Sequence, residues 1–221
     1  MTNVYDKVRY PSMVHPGSHP ARMSALAHLY GRPSSPAWRC RVLEIGCGDG
    51  TNLLSLAAAA PQSQFVGFDL AESAIARGRA MAAAAGLTNL ELSTNDILNA
   101  PQPLGEFDYV LAHGIYAWVP ASIRDALMPL IGRSLTANGL AFLSYTTLPG
   151  CRVRQIARDI LQDSVRNIAA PAERLAATRE CMEFMVATWP LVTMVLPLGN
   201  CFCATAVILA ISAATPPRSR P

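Results

Sequence analysis

The sequence predicts an α/β protein built on a doubly wound parallel sheet, and three observations carry that expectation. Strand-like apolar runs alternate with helix-compatible segments five times along the chain. The first run, Val42-Leu43-Glu44-Ile45, ends in a turn with glycines at 46, 48 and 50, where backbone must take positive φ or approach a partner closely. Polar residues recur just past the carboxyl ends of the runs: Glu44 to Gly50, Asp69, Asn95-Asp96 and His113-Gly114. In an open parallel sheet these ends share one edge, and ligands bind there, where the strand order reverses.

Taken in order, Tyr5 to Pro20 is rich in Tyr, His and Pro and fits no sheet. It is expected to cover the ligand as a lid, ahead of a helix from about Ala21 to Tyr30. After the first strand and its glycine turn, Thr51 to Ala60 reads as a helix. Gln64 to Asp69 is a second buried strand ending in a carboxylate. Glu72 to Ala85 is an alanine-rich helix stopped by Gly86 in a C-terminal capping position. Leu90 to Ser93 and Phe107 to Ala112 are the third and fourth strands. Ser122 to Leu135 is helical, with Ile123, Ala126, Leu127, Leu130 and Ile131 on one face, Ser122 and Asp125 as a capping-box pair, and Pro129 as a kink. Gly139 to Tyr145 is the fifth strand. Arg152 to Asn167 and Ala172 to Trp189 form two further helices, with Pro171 at a boundary. Four segments follow: 1–35, lid and helix; 36–150, ligand-binding domain; 151–190, helical extension; 191–221, apolar tail.

Composition narrows the function. The chain has 221 residues, is 51% hydrophobic and 15% charged, and carries a net charge of +3, too small to imply a nucleic-acid partner. Its six cysteines are scattered; Cys201 and Cys203 form the one close pair, without the histidine or cysteine partners of a metal site, so no metal is expected. The polar amino terminus is no signal peptide, and a cytoplasmic protein is expected. No charge occurs from Phe184 to Pro217. Leu191 to Ala214 has the length of a membrane span but is interrupted by Pro197, Gly199 and Asn200, which leaves attachment to a membrane through this segment as an alternative.

The glycine spacing is Gly-x-Gly-x-Gly, not the Gly-x-Gly-x-x-Gly of dinucleotide sites. Glu44 would repel a pyrophosphate and suits a cationic ligand end, such as the amino and sulfonium groups of S-adenosylmethionine. The expected cofactor contacts are Glu44, Gly46, Cys47, Gly48, Asp69, Leu70, Asn95, Asp96, Ile97 and His113. Asp69 can accept from both ribose hydroxyls, or simply form a turn that caps the next helix. Asp96 can accept from the adenine amino group with Ile97 on the ring face, or form an ordinary Asx turn. His113 can position the methionine end, approach the acceptor, or serve as a structural hydrogen-bonder. Tyr116 and Trp118 follow in the same loop, where aromatic faces can line an acceptor channel or pack as core or lid. His113, Tyr116 and Trp118 are the catalytic candidates, with His113 and Tyr116 the candidate bases; methyl transfer otherwise needs alignment and a dry site.

These residues resemble class I S-adenosylmethionine-dependent methyltransferases, and more narrowly the bacterial group with a methyltransferase regulatory domain, which includes rickettsial protein-lysine methyltransferases. The resemblance rests on Tyr5-Asp6, Tyr10-Pro11-Ser12, Ser18-His19-Pro20, Arg41 to Gly50, Phe107 to Gly114, Tyr116, Trp118-Val119-Pro120, Ser144-Tyr145 and Pro149-Gly150. It implies a Rossmann-like fold, S-adenosylmethionine as cofactor and a methyl acceptor that is a protein lysine, another amine or a small molecule. The chain departs from the group at Thr146, Leu148 and Cys151, and beyond Trp189, so the sheet is expected to lack its last strands. The competing expectations are a truncated or frame-shifted remnant that binds cofactor without catalysis, a membrane-attached module and, least favoured, a nicotinamide oxidoreductase.

Overall fold

Alternation of apolar runs with helical segments produces a sheet because a parallel strand cannot return to its neighbour without a crossover. A computed structural model describes residues 12–100, 104–145 and 152–188, the side chains of residues 153 and 154 excepted. These fall into two units, 12–144 and 145–188. Tyr5-Asp6, Tyr10-Pro11, Thr146, Leu148, Pro149-Gly150, Cys151, the 191–214 segment and the Cys201/Cys203 pair lie outside the described residues.

In the first unit, a 3₁₀ turn (Pro16–Ser18) leads into helix α1 (Pro20–Leu29). Then come β1 (Arg41–Ile45), α2 (Thr51–Ala59), β2 (Gln64–Asp69), α3 (Glu72–Ala84), β3 (Leu90–Thr94), a 3₁₀ turn at Ile97–Asn99, β4 (Phe107–Ala112), α4 (Ala121–Ser134) and β5 (Leu135–Leu143). All strand pairs are parallel, in the order β3-β2-β1-β4-β5. The chain winds outward from β1 to β3, then crosses back to place β4 on the other side of β1. The strand order reverses between β1 and β4, which makes that gap the ligand-binding crevice of such a sheet.

Period-2 alternation sorts the strand side chains onto two faces. One inner face carries Val42, Phe65, Leu92, Tyr109, Leu111 and Phe142, packed with Met23 and Ala27 of α1 and Leu53, Leu56 and Ala57 of α2. Met23 and Ala27 are one turn apart and fully buried, which anchors α1 on the sheet. Phe65, Tyr109 and Phe142 are each almost completely buried, stabilising the fold by roughly 1.5–3 kcal/mol apiece.

Several boundaries differ from expectation. Leu135 belongs to β5 rather than to the preceding helix. β5 reaches back to pair Leu135 with Phe107, then shifts register so that Leu140 pairs with Tyr109. The proposed Ser122/Asp125 capping box is not used: Pro120 is the residue before α4, and no side chain caps that end. Burying Leu127, Leu130 and Ile131 outweighs the cap in fixing where the helix starts. Gly86 takes φ 65° just past α3, as a helix-ending glycine should.

In the second unit, α5 (Arg152–Ser164) and α6 (Pro171–Thr188) pack on each other, and Val165 and Met185 are buried. Among the described residues, no helix is long and apolar enough to cross a membrane.

Candidate active site

The glycine turn is shaped by contact as much as by flexibility. Gly46 has φ 68°, and a Cβ there would lie 2.4 Å from Cδ1 of Ile115. The turn after β1 and the loop after β4 therefore touch directly at the switch point. The Gly46 and Cys47 amides both donate to Phe68 O, at 2.8 and 3.1 Å, which pins the turn to the end of β2. Gly78 of α3 permits a second close approach, since a Cβ there would sit 2.3 Å from the Asp49 carbonyl oxygen.

Asp69 closes this turn from the side. Its Oδ2 accepts from the Gly48 amide at 2.9 Å, and its Oδ1 accepts from Ala71 N at 2.9 Å. The turn-forming role is thus present, and each carboxylate oxygen keeps a further lone pair for a ribose hydroxyl. Leu70 beside it is 53% exposed and available to a flat ligand. Asn95 N donates to Asp69 O at 3.0 Å, while its side chain donates to Ser93 Oγ at 2.9 Å. Asp96 forms the Asx turn: Oδ1 accepts from Leu98 N at 3.0 Å and caps the short turn that begins at Ile97.

Glu44 continues the inner-face stripe of β1 and is 3% exposed. Its Oε1 accepts from Asn52 Nδ2 at 3.1 Å; its Oε2 is buried with no hydrogen-bond partner among the described residues. Burial, with the nearby Asp69 charge as a smaller cause, pushes its pKa up to about 8. Cys47 is pushed up as well, by burial first and then by the Glu44 and Asp69 charges, which keeps it a thiol and no nucleophile. Burial would also raise Asp49, but hydrogen bonds from Ser12 and Thr51 and the nearby Arg77 charge prevail and hold its carboxyl below the ordinary value.

His113 continues the inner-face stripe of β4. Its Nδ1 lies 3.4 Å from Ser144 Oγ, which itself accepts from Gly114 N at 2.7 Å. Its Nε2 is buried without a hydrogen-bond partner among the described residues. The His15 ring meets it edge-on with centroids 3.5 Å apart, and Phe142 flanks it at 6.0 Å. Burial, helped by His15, lowers the His113 pKa to about 4. At neutral pH it is an uncharged hydrogen-bonding ring and a poor acceptor of a proton from an ammonium group. Tyr116 is half-buried, and Trp118 is 62% exposed on the same loop.

The structure brings Glu44, the glycine turn, Asp69 and His113 together and shows partners to which the sequence assigned no role. His15 N donates to Asn52 Oδ1 at 3.0 Å, Asn52 Nδ2 reaches Ser18 Oγ at 3.3 Å, and Ser12 Oγ donates to Asp49 Oδ2. The segment 12–18 is thereby stitched to the glycine turn and α2. Asn52 and His15 had no sequence signal of their own. Ser12, Ser18 and Ser144 were marked by the family resemblance, without a role.

A family described as a methyltransferase domain matches residues 42–139. RP028 of Rickettsia prowazekii is 31% identical over 181 residues, covering 82% of this chain and 72% of that protein. This chain belongs to the class I S-adenosylmethionine-dependent methyltransferase family. A second relative by sequence, RP789 of Rickettsia prowazekii, is 34% identical over 183 residues, covering 83% of this chain and 33% of that protein. The solved structure of PKMT2 from Rickettsia typhi in complex with AdoHcy matches with TM-score 0.70 and 28% identity, covering 89% of this chain and 38% of that one. The methyltransferase thus spans about a third of the length of RP789 and of that solved chain. S-adenosylmethionine is the cofactor of the family, and the residues present fit it: a buried carboxyl oxygen of Glu44 has no hydrogen-bond partner among the described residues, and on ionising it suits an aminoacyl ammonium.

Proposed function

We propose that this methyltransferase moves the methyl group of S-adenosylmethionine to an amine, with a protein lysine side chain as acceptor. The observation that carries the reading is the partnerless Oε2 of Glu44 beside the glycine turn. A buried carboxyl oxygen without a donor is costly, and a cationic ligand end relieves that cost. Around it, Gly46 and Gly48 leave room for the ligand's backbone approach. Asp69 holds the ribose through lone pairs its two amide contacts leave over, with Leu70 alongside. Asn95 and Asp96 receive the adenine edge, and Ile97 its face.

When bound, the cofactor supplies an electrophilic methyl on sulfur. The chain's own residues bind, orient and exclude water. His113, with its pKa lowered to about 4, hydrogen-bonds rather than removes a proton. The acceptor amine therefore reaches the site already neutral, and Tyr116 and Trp118 line its approach. The lysine assignment is supported by the resemblance to rickettsial protein-lysine methyltransferases and by the likeness to PKMT2.

Binding is tested by calorimetry with S-adenosylhomocysteine. Asp69→Ala, which removes both ribose acceptors and the Gly48 contact, should weaken binding by about 2–3 kcal/mol. Unchanged affinity would remove Asp69 from the site. Transfer is tested by incubating the full chain and bacterial protein with methyl-tritiated cofactor. Label recovered as methyllysine after hydrolysis supports the acceptor; label on another residue type, or none, overturns it.

A further inference from the structure

Two buried polar atoms without hydrogen-bond partners among the described residues lie on one face of neighbouring strands: Glu44 Oε2 on β1 and His113 Nε2 just past β4. Glu44 pairs with Leu111, so His113 is one inner-face position further along. With strands about 4.8 Å apart and two residues rising about 6.6 Å, the two positions are separated by about 8 Å on the diagonal. The ammonium and carboxylate of one amino acid span such a gap with a hydrogen bond of about 3 Å at each end.

The identity of the proton on His113 follows from its neighbours. Ser144 Oγ accepts from Gly114 N. With one lone pair so engaged, the Ser144 hydroxyl proton is free to be donated to His113 Nδ1, 3.4 Å away, and that pairing places the ring proton on Nε2. The unpartnered atom is then a donor, whereas Glu44 Oε2 becomes an acceptor once an ammonium draws the group into its carboxylate form. His15 lies across the ring and is itself held by its backbone on Asn52, the residue that donates to Glu44.

We propose that His113, held as its Nε2–H tautomer by Ser144 and covered by His15, reads the carboxylate of the cofactor's aminoacyl end. The inference rests on the cofactor reading above. Here Ser144 and His15 are positioning residues.

The test uses the full chain with two probes, S-adenosylhomocysteine and its analogue lacking only the carboxylate. The wild type should prefer the first by 10- to 100-fold, the range of one charge-assisted hydrogen bond. In His113→Leu that preference should collapse toward one while the analogue binds as before, which also shows that the variant is folded. Equal weakening of both probes, or of neither, overturns the proposal. Failure of the wild type to bind either probe sinks the cofactor reading along with it. Long-range proton–nitrogen NMR reads the tautomer directly. The wild type should carry its proton on Nε2, and Ser144→Ala should mix the tautomers and lower the probe preference. A proton on Nδ1 in the wild type overturns the role of Ser144. In His15→Ala the His113 titration midpoint should rise from about 4 toward 6.5, assigned by its loss in His113→Leu. An unmoved midpoint overturns the role of His15.

Discussion

At the scale of single residues, Glu44 and His113 respond to pH in opposite directions. Glu44 has an ordinary pKa of 4.5 and a folded value of about 8, so folding takes up a proton between those limits. That lowers stability as pH rises. His113 falls from 6.5 to about 4, so folding releases a proton there, and its contribution grows as pH rises to 6.5. From pH 6.5 to 8, Glu44 dominates this pair, and the cofactor-free protein should lose about 2 kcal/mol, the limit for one proton over that interval. Glu44→Gln should flatten that decline in urea melts and weaken S-adenosylhomocysteine binding at least about tenfold, as loss of a charged hydrogen bond does. A variant with the same pH slope would show that Glu44 is not the titrating group. An ammonium at Oε2 also favours the carboxylate, so calorimetry in buffers of different ionisation heat should detect proton release on binding near pH 7.

At the scale of elements, α3 shows a local rule yielding to a tertiary one. Replacing Gly78 by Ala would favour an isolated helix by about 0.5–1 kcal/mol. Here the new Cβ would meet the Asp49 carbonyl at 2.3 Å, a backbone atom that cannot swing aside. Overpacking typically costs about 1–3 kcal/mol, so the collision should win. Gly78→Ala should lower Tm and weaken cofactor binding together, because Asp49 sits inside the glycine turn. A higher Tm with unchanged affinity would show that α3 and the turn separate freely. The elements were largely legible in the sequence because their signals are local. Periodicity and glycine placed β1 to β4 and ended α3. The start of β5 was not legible, since Leu135 joins it through pairing with Phe107, a contact absent from any local window. The same holds within the site: Glu44, Asp69 and His113 announce themselves at strand ends, but Asn52 is one polar residue in a helix. Its value depends on Glu44 lying beneath it.

For the molecule as a whole, the segment 12–18 joins the two halves of the sheet across the crevice. His15 and Ser18 engage Asn52 on the β1 side, while the His15 ring meets His113 on the β4 side. Deleting residues 1–18 should weaken S-adenosylhomocysteine binding at least about tenfold, the scale of one lost hydrogen-bonded support. The sheet should survive, because the buried Met23 and Ala27 remain. Full affinity in the deleted protein, or loss of its helical circular dichroism, would each refute this division of labour. The same stitching has a kinetic side. These residues leave the ribosome early, yet their ring partner comes 98 positions later, from His15 to His113. Closing so long a loop is slow compared with forming local helices. During synthesis, the segment 12–18 can reach Asn52 and Asp49 early, but the His15 ring must wait until β4 exists to receive it. Competence to hold the cofactor is thus a late event in the life of a new chain, and slowing translation before Phe107 should lengthen the interval in which the crevice stays open.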